Sequence, residues 1–233
     1  MEKLIYTLHG RGGLTADAFR DRLLASVPEL QASGARHLRV CVSDSDVAAG
    51  AALHQANTGR PLPDAVLTFW LDTAIRCREQ EAIFAELCET HHGYLVTESE
   101  PLVSGSGESA GPRTEGMSQI ALLQQPPRLR REEWLEVWQY SHTAVAIETQ
   151  STFGYRQNVV VRALTPDAPP VDAIVEENFP LAAMTSPQAF YDAEGDEALY
   201  QQRLEAMMTS CARFIDLERI DVIVTSEYRY PSP

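Results

Sequence analysis

Runs of alternating and helically spaced apolar residues divide the chain into two similar series of elements. Lys3–His9 is apolar-rich, with β-prone Ile5, Tyr6 and Thr7, and Gly10, Gly12 and Gly13 break it, so a strand is expected there. Thr15 then reads as an N-cap, with Phe19, Leu23, Leu24 and Val27 at helical spacing until Pro28 ends or interrupts the pattern. Arg36–Ser43 reads as a second strand, the Ala-, Gly- and Pro-rich stretch to Pro63 as a loop, and Asp64–Leu71 as a third strand. A helix over Thr73–Thr90 and a strand over Gly93–Ser99 complete the first series.

The second series repeats the order. Met117–Gln124 is a strand, and Arg130–Glu148 a helix carrying Trp134, Val137, Trp138, Val145 and Ile147. Tyr155–Ala163 and Val171–Phe179 are strands, Ser186–Asp192 and Glu197–Cys211 are helical, and Ile220–Tyr228 is the last strand. Each half is therefore β-α-β-β-α-β, the split unit of ferredoxin-like folds. Leu14, Phe19, Leu23 and Val27 match Leu129, Trp134, Trp138 and His142 at a constant spacing of 115, and Asp64-Ala65-Val66 matches Asp172-Ala173-Ile174. A Ser-, Gly- and Pro-rich linker over 104–114 separates an N-terminal half, 1–103, from a C-terminal half, 115–233. The expected fold class is α+β, with two four-stranded sheets packed bare face to bare face or curled into one barrel. The space between the sheets is the expected pocket.

Composition narrows the function classes. With 19 Lys plus Arg against 33 Asp plus Glu, the net charge of −14 argues against nucleic acid and anionic membrane as partners. The densest basic run, Arg128, Arg130 and Arg131, is answered at once by Glu132 and Glu133. No apolar stretch approaches the roughly 20 residues of a membrane span, and the N-terminus lacks the apolar core of a signal peptide. Cys41, Cys77, Cys88 and Cys211 are scattered without a CxxC pair, which fits buried, reduced thiols and a cytoplasmic location.

Several residues could carry chemistry. His142 follows Trp138 by one helical turn and Trp134 by two; it is either a satisfied core histidine or an acid–base group in a pocket. Strand alternation sends Ile174, Glu176 and Asn178 to one face and Val175, Glu177 and Phe179 to the other. The apolar set belongs under the helices, so Glu176 and Asn178 are expected inside the barrel. Glu177 is left to snorkel or sit at the sheet's end. A carboxylate inside a barrel is either functional or paired with Arg156 or Arg162 on the neighbouring strand. Arg156 and Asn158 share a strand face and could contact an anion or a carbonyl. His9, ending the first strand, could point into the barrel as a second titratable group. The Gly10-Arg11-Gly12-Gly13 turn after it lacks a phosphate-loop fingerprint. No metal is expected, because adjacent His91 and His92 point to opposite faces of a strand. Ser104 and Ser106 lie in the linker and not on a nucleophile elbow. Trp70 and Tyr155 are the aromatics best placed to meet a flat ligand.

The second half resembles the EthD family of the dimeric α+β barrel superfamily over about residues 117–228. The resemblance rests on Arg128, on Glu133-Trp134, Trp138 and His142 along one helix, and on Gly154-Tyr155-Arg156-Gln157-Asn158. It continues through Asp172-Ala173-Ile174-Val175-Glu176 and Phe190. Ala173 stands where the family pattern has Gly, and Asn178 where an aromatic is common. The first half resembles the same fold but has Val27 and Thr68 at the positions of the helix His and strand Glu. The resemblance implies a tandem pair closed into one intramolecular dimeric α+β barrel, which could pair again as a homodimer. It also implies a metal-free, cofactor-free protein acting on a phenolic, polyketide-like or other small aromatic molecule. On that reading His142, with Glu176 or His9, would move protons in a dehydratase, isomerase, cyclase or C–C lyase reaction. Trp138, Tyr140, Tyr155, Arg156, Asn158, Trp70 and Asn178 would bind the substrate. A cofactor-free monooxygenase, a non-catalytic barrel that binds a hydrophobic metabolite, and a vestigial pocket are the alternatives.

Overall fold

The computed structural model describes residues 1–75, 77–104 and 112–231. Most of the expected linker, including Gly105-Ser106-Gly107, lies outside the described residues. The first half runs β1 (Glu2–Gly10), α1 (Ala16–Ala25), α2 (Val27–Ala32), β2 (Arg36–Val42), β3 (Gln55–Ala56), β4 (Ala65–Leu71), α3 (Arg78–Leu87) and β5 (Cys88–Leu102). Thr15 caps α1 by accepting from the Ala18 N–H at 3.2 Å. The helical run is interrupted at Ser26, just before Pro28, and resumes as α2. Pro28 enters the first turn of α2, where a missing N–H costs nothing.

Two segments depart from expectation. The Ala- and Gly-rich stretch read as loop holds a 3-10 helix, Ser45–Leu53, ahead of β3. Its small residues let it lie close on the sheet: a side chain at Gly50 would meet Val224 Cγ1 at 3.0 Å. The third helix is shorter than expected because the chain turns straight into β5 at Cys88, where a bulge against Gly10 starts the pairing with β1.

The second half runs β6 (Met117–Leu123), α4 (Arg131–Glu136), a π-helical turn (Val137–His142), α5 (Thr143–Thr149), β7 (Gly154–Ala163), β8 (Ala173–Phe179), α6 (Pro187–Phe190), α7 (Glu197–Phe214) and β9 (Ile220–Tyr230). The strands hydrogen-bond in the order β2-β4-β1-β5-β7-β8-β6-β9, and β9 pairs back on β2, so eight antiparallel strands close a barrel with β3 added beside β9. Each half supplies four consecutive staves. The two seams, β5–β7 and β9–β2, join the last strand of one half to the second strand of the other. Closure leaves no long free edge on the barrel.

Period-2 alternation sorts every stave. One parity faces the helices, as Leu4, Tyr6, Leu67 and Phe69 do in the first half and Ala121, Tyr155, Val175 and Val222 in the second. The other parity faces the barrel axis, where Ile5, Cys41, Val66, Ile120, Ile174 and Ile223 form an apolar plug. Gly154 opens β7 because a side chain there would strike Asn178 Oδ1 and Ser104 Cβ, each at 2.7 Å.

Candidate functional site

Glu176, Arg156, Asn158 and Asn178 do point inside the barrel, at one end of the plug, but into a closed set of ion pairs. The Lys3 ammonium donates to Glu176 Oε1 at 3.0 Å, to Asn158 Oδ1 at 2.6 Å and to Glu98. Arg39 donates to Glu98 Oε2 at 2.9 Å and lies 3.9 Å from Glu176 Oε2. Arg156 donates to Glu100 at 2.8 Å and to Glu227 at 3.3 Å, and its guanidinium is 3.8 Å from Glu176 Oε2. Arg229 completes the set on Glu227. Lys3, Arg39, Arg156 and Arg229 thus balance Glu98, Glu100, Glu176 and Glu227. Burial by itself would raise the Glu176 carboxyl, but Lys3, Arg39 and Arg156 outweigh it and hold the group well below the usual carboxylate range. Among the described residues the four positive and four negative charges balance, with Glu176 Oε2 held by charge alone and not by a hydrogen bond.

His142 lies on the opposite side of the sheet. The wider turn over Val137–His142 brings the Thr143 N–H onto the Trp138 carbonyl, five residues back, and the Thr143 hydroxyl bonds the same oxygen at 2.8 Å. Gln157 of β7 donates to that hydroxyl at 2.5 Å, which ties the turn to the sheet. His142 Nδ1 sits 3.0 Å from Ser210 Oγ of α7, and its ring packs on Phe214 with centroids 4.5 Å apart. The Trp138 indole N–H donates to the Tyr155 hydroxyl at 3.2 Å. The tautomer that donates Nδ1–H to Ser210 leaves Nε2 as the free lone pair.

Between this helix, α7 and the sheet lies a cavity of about 880 Å³, lined by His142, Trp138, Tyr155, Met184, Phe190 and Phe214 among others. The 3-10 helix and β3 of the first half contribute Leu53 and Gln55 to its wall. Glu177 lines the same cavity. It is buried, Oε1 has no hydrogen-bond partner, and burial pushes its carboxyl up to about 8. Burial, helped by Arg213, pushes His142 down to about 4. At neutral pH both groups are uncharged, a base without its proton and an acid that has kept its own on the walls of one cavity.

The raised carboxyl has a stability consequence. Above its unfolded value near 4.5, Glu177 ionises in the unfolded chain and stays protonated in the folded one, so folding loses free energy as pH rises towards about 8. Glu177→Gln removes that cost. Its melting temperature should match the parent near pH 4 and exceed it above pH about 8, with a stability gain of roughly 5 kcal/mol at most. An unchanged difference across that range in a thermal scan would mean that the carboxyl is not held protonated.

No family model matches the sequence, and no curated protein matches it. Solved structures do. An anthrone oxidase-like protein superposes over 98% of this chain and 90% of its own with a TM-score of 0.58 at 11% identity. A proposed monooxygenase from Fusobacterium nucleatum does so over 98% and 91%, with a TM-score of 0.53 at 6% identity. With the closed eight-stranded sheet, this decides the fold. The chain is a dimeric α+β barrel, completed within one polypeptide.

The α+β barrel places the remaining expected site residues apart from one another. His9 lies at the barrel mouth away from Glu176, beside His92, with ring centroids 6.0 Å apart. Trp70 is half-buried opposite Lys3 on the barrel-facing side of β4, and not in the cavity. Tyr140 is 85% exposed, on the outer side of the π turn. One barrel-interior pocket holding His142 with Glu176, Arg156 and Asn158 is therefore corrected, because a helix laid on the outer face of a sheet can meet only the strand residues of that face. Those are Tyr155 and Glu177, not Arg156 and Glu176. Glu177 and Ser210 were missed; the parity of β8, read together with the side on which the helix packs, was the available signal for Glu177. In the first half of the α+β barrel the counterparts of His142 and Glu177 are Val27 and Phe69. Both are buried in a core where Tyr6 stacks on Phe69 and Phe84 packs tilted against both. No helix among the described residues is long and apolar enough to cross a membrane, and no cluster of three or more His, Cys, Asp or Glu among them could hold a metal ion.

Proposed function

We propose that this chain is a proton-transfer enzyme acting on a small aromatic, phenolic or polyketide-like molecule in the cavity between the second sheet and its helices. The observation that carries the reading is the pairing of His142 and Glu177, both uncharged at neutral pH, on the walls of one largely apolar cavity. His142 Nε2 takes a proton from the substrate while Glu177 gives its own to a leaving oxygen or a developing enolate. Water then resets both groups. Elimination, isomerisation, ring closure or a retro-type C–C cleavage follows from which substrate bond lies between them. Trp138, Tyr155, Phe190 and Phe214 supply flat apolar surface for an aromatic ring. The EthD-like run supports the same reading, since three of its residues, Trp138, His142 and Tyr155, line this cavity.

A second reading is favoured by the neighbour described as anthrone oxidase-like. The same base would draw a proton from an activated ring carbon, and the carbanion would pass its electrons to dioxygen as co-substrate.

Screening aromatic metabolites for thermal stabilisation supplies the substrate, and the pH dependence of its turnover tests the mechanism. Activity should rise through about 4 as His142 loses its proton and fall through about 8 as Glu177 loses its own. Turnover that continues to climb well above pH about 8 overturns the role of Glu177. Oxygen uptake in step with product separates the second reading from the first.

A further inference from the structure

The α+β barrel has a second cavity, unrelated to the proposed acid–base site. It is about 510 Å³, opens at the barrel mouth where His9 lies, and shares no lining residue with the first. Its floor is the end of the apolar plug, with Tyr94 and Leu122, and its sides are built from Pro61, Leu62, Pro63 and Pro169. These are rigid, flat, apolar walls. The Tyr94 hydroxyl donates to the Pro169 carbonyl at 2.9 Å.

The charged side chains around this cavity are mostly carboxylates. Asp64, Glu89 and Asp221 line it, and Asp167 stands 3.8 Å from His92 just outside. Among the described residues, Arg60 is the one Lys or Arg side chain on the lining. Asp221 is buried and held in place by the Thr58 N–H at 3.0 Å and the Thr58 hydroxyl at 2.6 Å, and Asp64 by the Gly10 N–H at 2.7 Å. His92 Nδ1 is buried without a hydrogen-bond partner. Burial lowers the basicity of both His9 and His92, so neither offsets the negative charge near neutral pH. Anchored carboxylates, an unpartnered ring nitrogen and flat walls together call for a ligand that brings positive charge and N–H donors on a planar body. The net charge of −14 favours the approach of such a ligand.

The geometry points to a second ligand site at the barrel mouth, taking a small aromatic amine in its cationic form between the proline walls, with its ammonium among Asp64, Asp221 and His92. It stands whether or not the acid–base reading is right.

Calorimetric titration with tryptamine tests it, with indole-3-propionate as the anion and tryptophol as the neutral alcohol, at physiological ionic strength. Tryptamine should bind saturably at one site per chain, and the anion at least about tenfold more weakly. Asp221→Asn and His92→Leu should each weaken tryptamine at least about tenfold, while His142→Ala leaves it unchanged. If Asp221→Asn does not fold, the exposed Asp64→Asn takes its place with the same expectation. Equal binding of all three indoles, no saturable binding, or binding lost with His142→Ala and kept in the mouth variants overturns the site.

Discussion

Glu176→Ala should lower the unfolding free energy by about 3–5 kcal/mol in chemical denaturation, the range for breaking a buried ion pair from one side. The carboxylate is fully buried and faces Lys3 at 3.0 Å, Arg156 at 3.8 Å and Arg39 at 3.9 Å. Removing it leaves buried cations, two of them almost wholly inaccessible, with one fewer partner inside the barrel. Glu176→Gln should cost less, because an amide still accepts from Lys3 and Asn158. The pH dependence has a definite sign. The folded pKa is depressed, so the stabilisation is complete above the unfolded value near 4.5 and is lost progressively as pH falls below it. In Glu176→Gln that acid sensitivity should shrink. A loss in Glu176→Ala no larger than the roughly 0–1 kcal/mol of a surface pair would mean that water reaches this end of the barrel.

His142→Ala and Glu177→Gln should each reduce turnover by about 10²–10⁴-fold, the usual weight of one positioned acid or base. The second variant is the sharper, because it is expected to fold more stably than the parent at alkaline pH, so its lost activity could not be put down to unfolding. The double variant should be scarcely worse than either single one, since a base without its acid completes no turnover. Glu176→Gln, assayed where it remains folded, should keep most of its activity. Full activity in Glu177→Gln together with its loss in Glu176→Gln would place the chemistry inside the barrel after all.

These opposite expectations for two adjacent glutamates show how much was legible in the chain. The alternation of β8 sorted Glu176 with Ile174 and Asn178, and Glu177 with Val175 and Phe179, and the structure keeps that sorting. The element order and the repeat were legible for the same reason: hydrophobic period survives divergence where identity does not. What period cannot say is which side of a sheet stays hollow. The barrel axis suggested a pocket, yet Lys3, Arg39, Glu98 and Glu227 lie far apart in sequence, and only closure of eight strands brings their like parity together. The cavity instead formed on the helix side, where an apolar strand face with one Glu reads as ordinary core. The π turn ending at His142 has no spacing signature either, because it adds one residue inside an otherwise regular helical pattern.

The seams at β5–β7 and β9–β2 have a consequence for how such a protein can change. In a barrel made from two identical chains every substitution is written twice, so a residue that improves one pocket must be tolerated in the other. Joining the halves removes that constraint. Phe69 and Val27 could fill one half and firm up the shared wall while Glu177 and His142 kept the other half open. The joined barrel is lopsided by construction, with a solid side that braces a hollow one, and its helix-side cavity should take one ligand per polypeptide where a symmetric pair would take two.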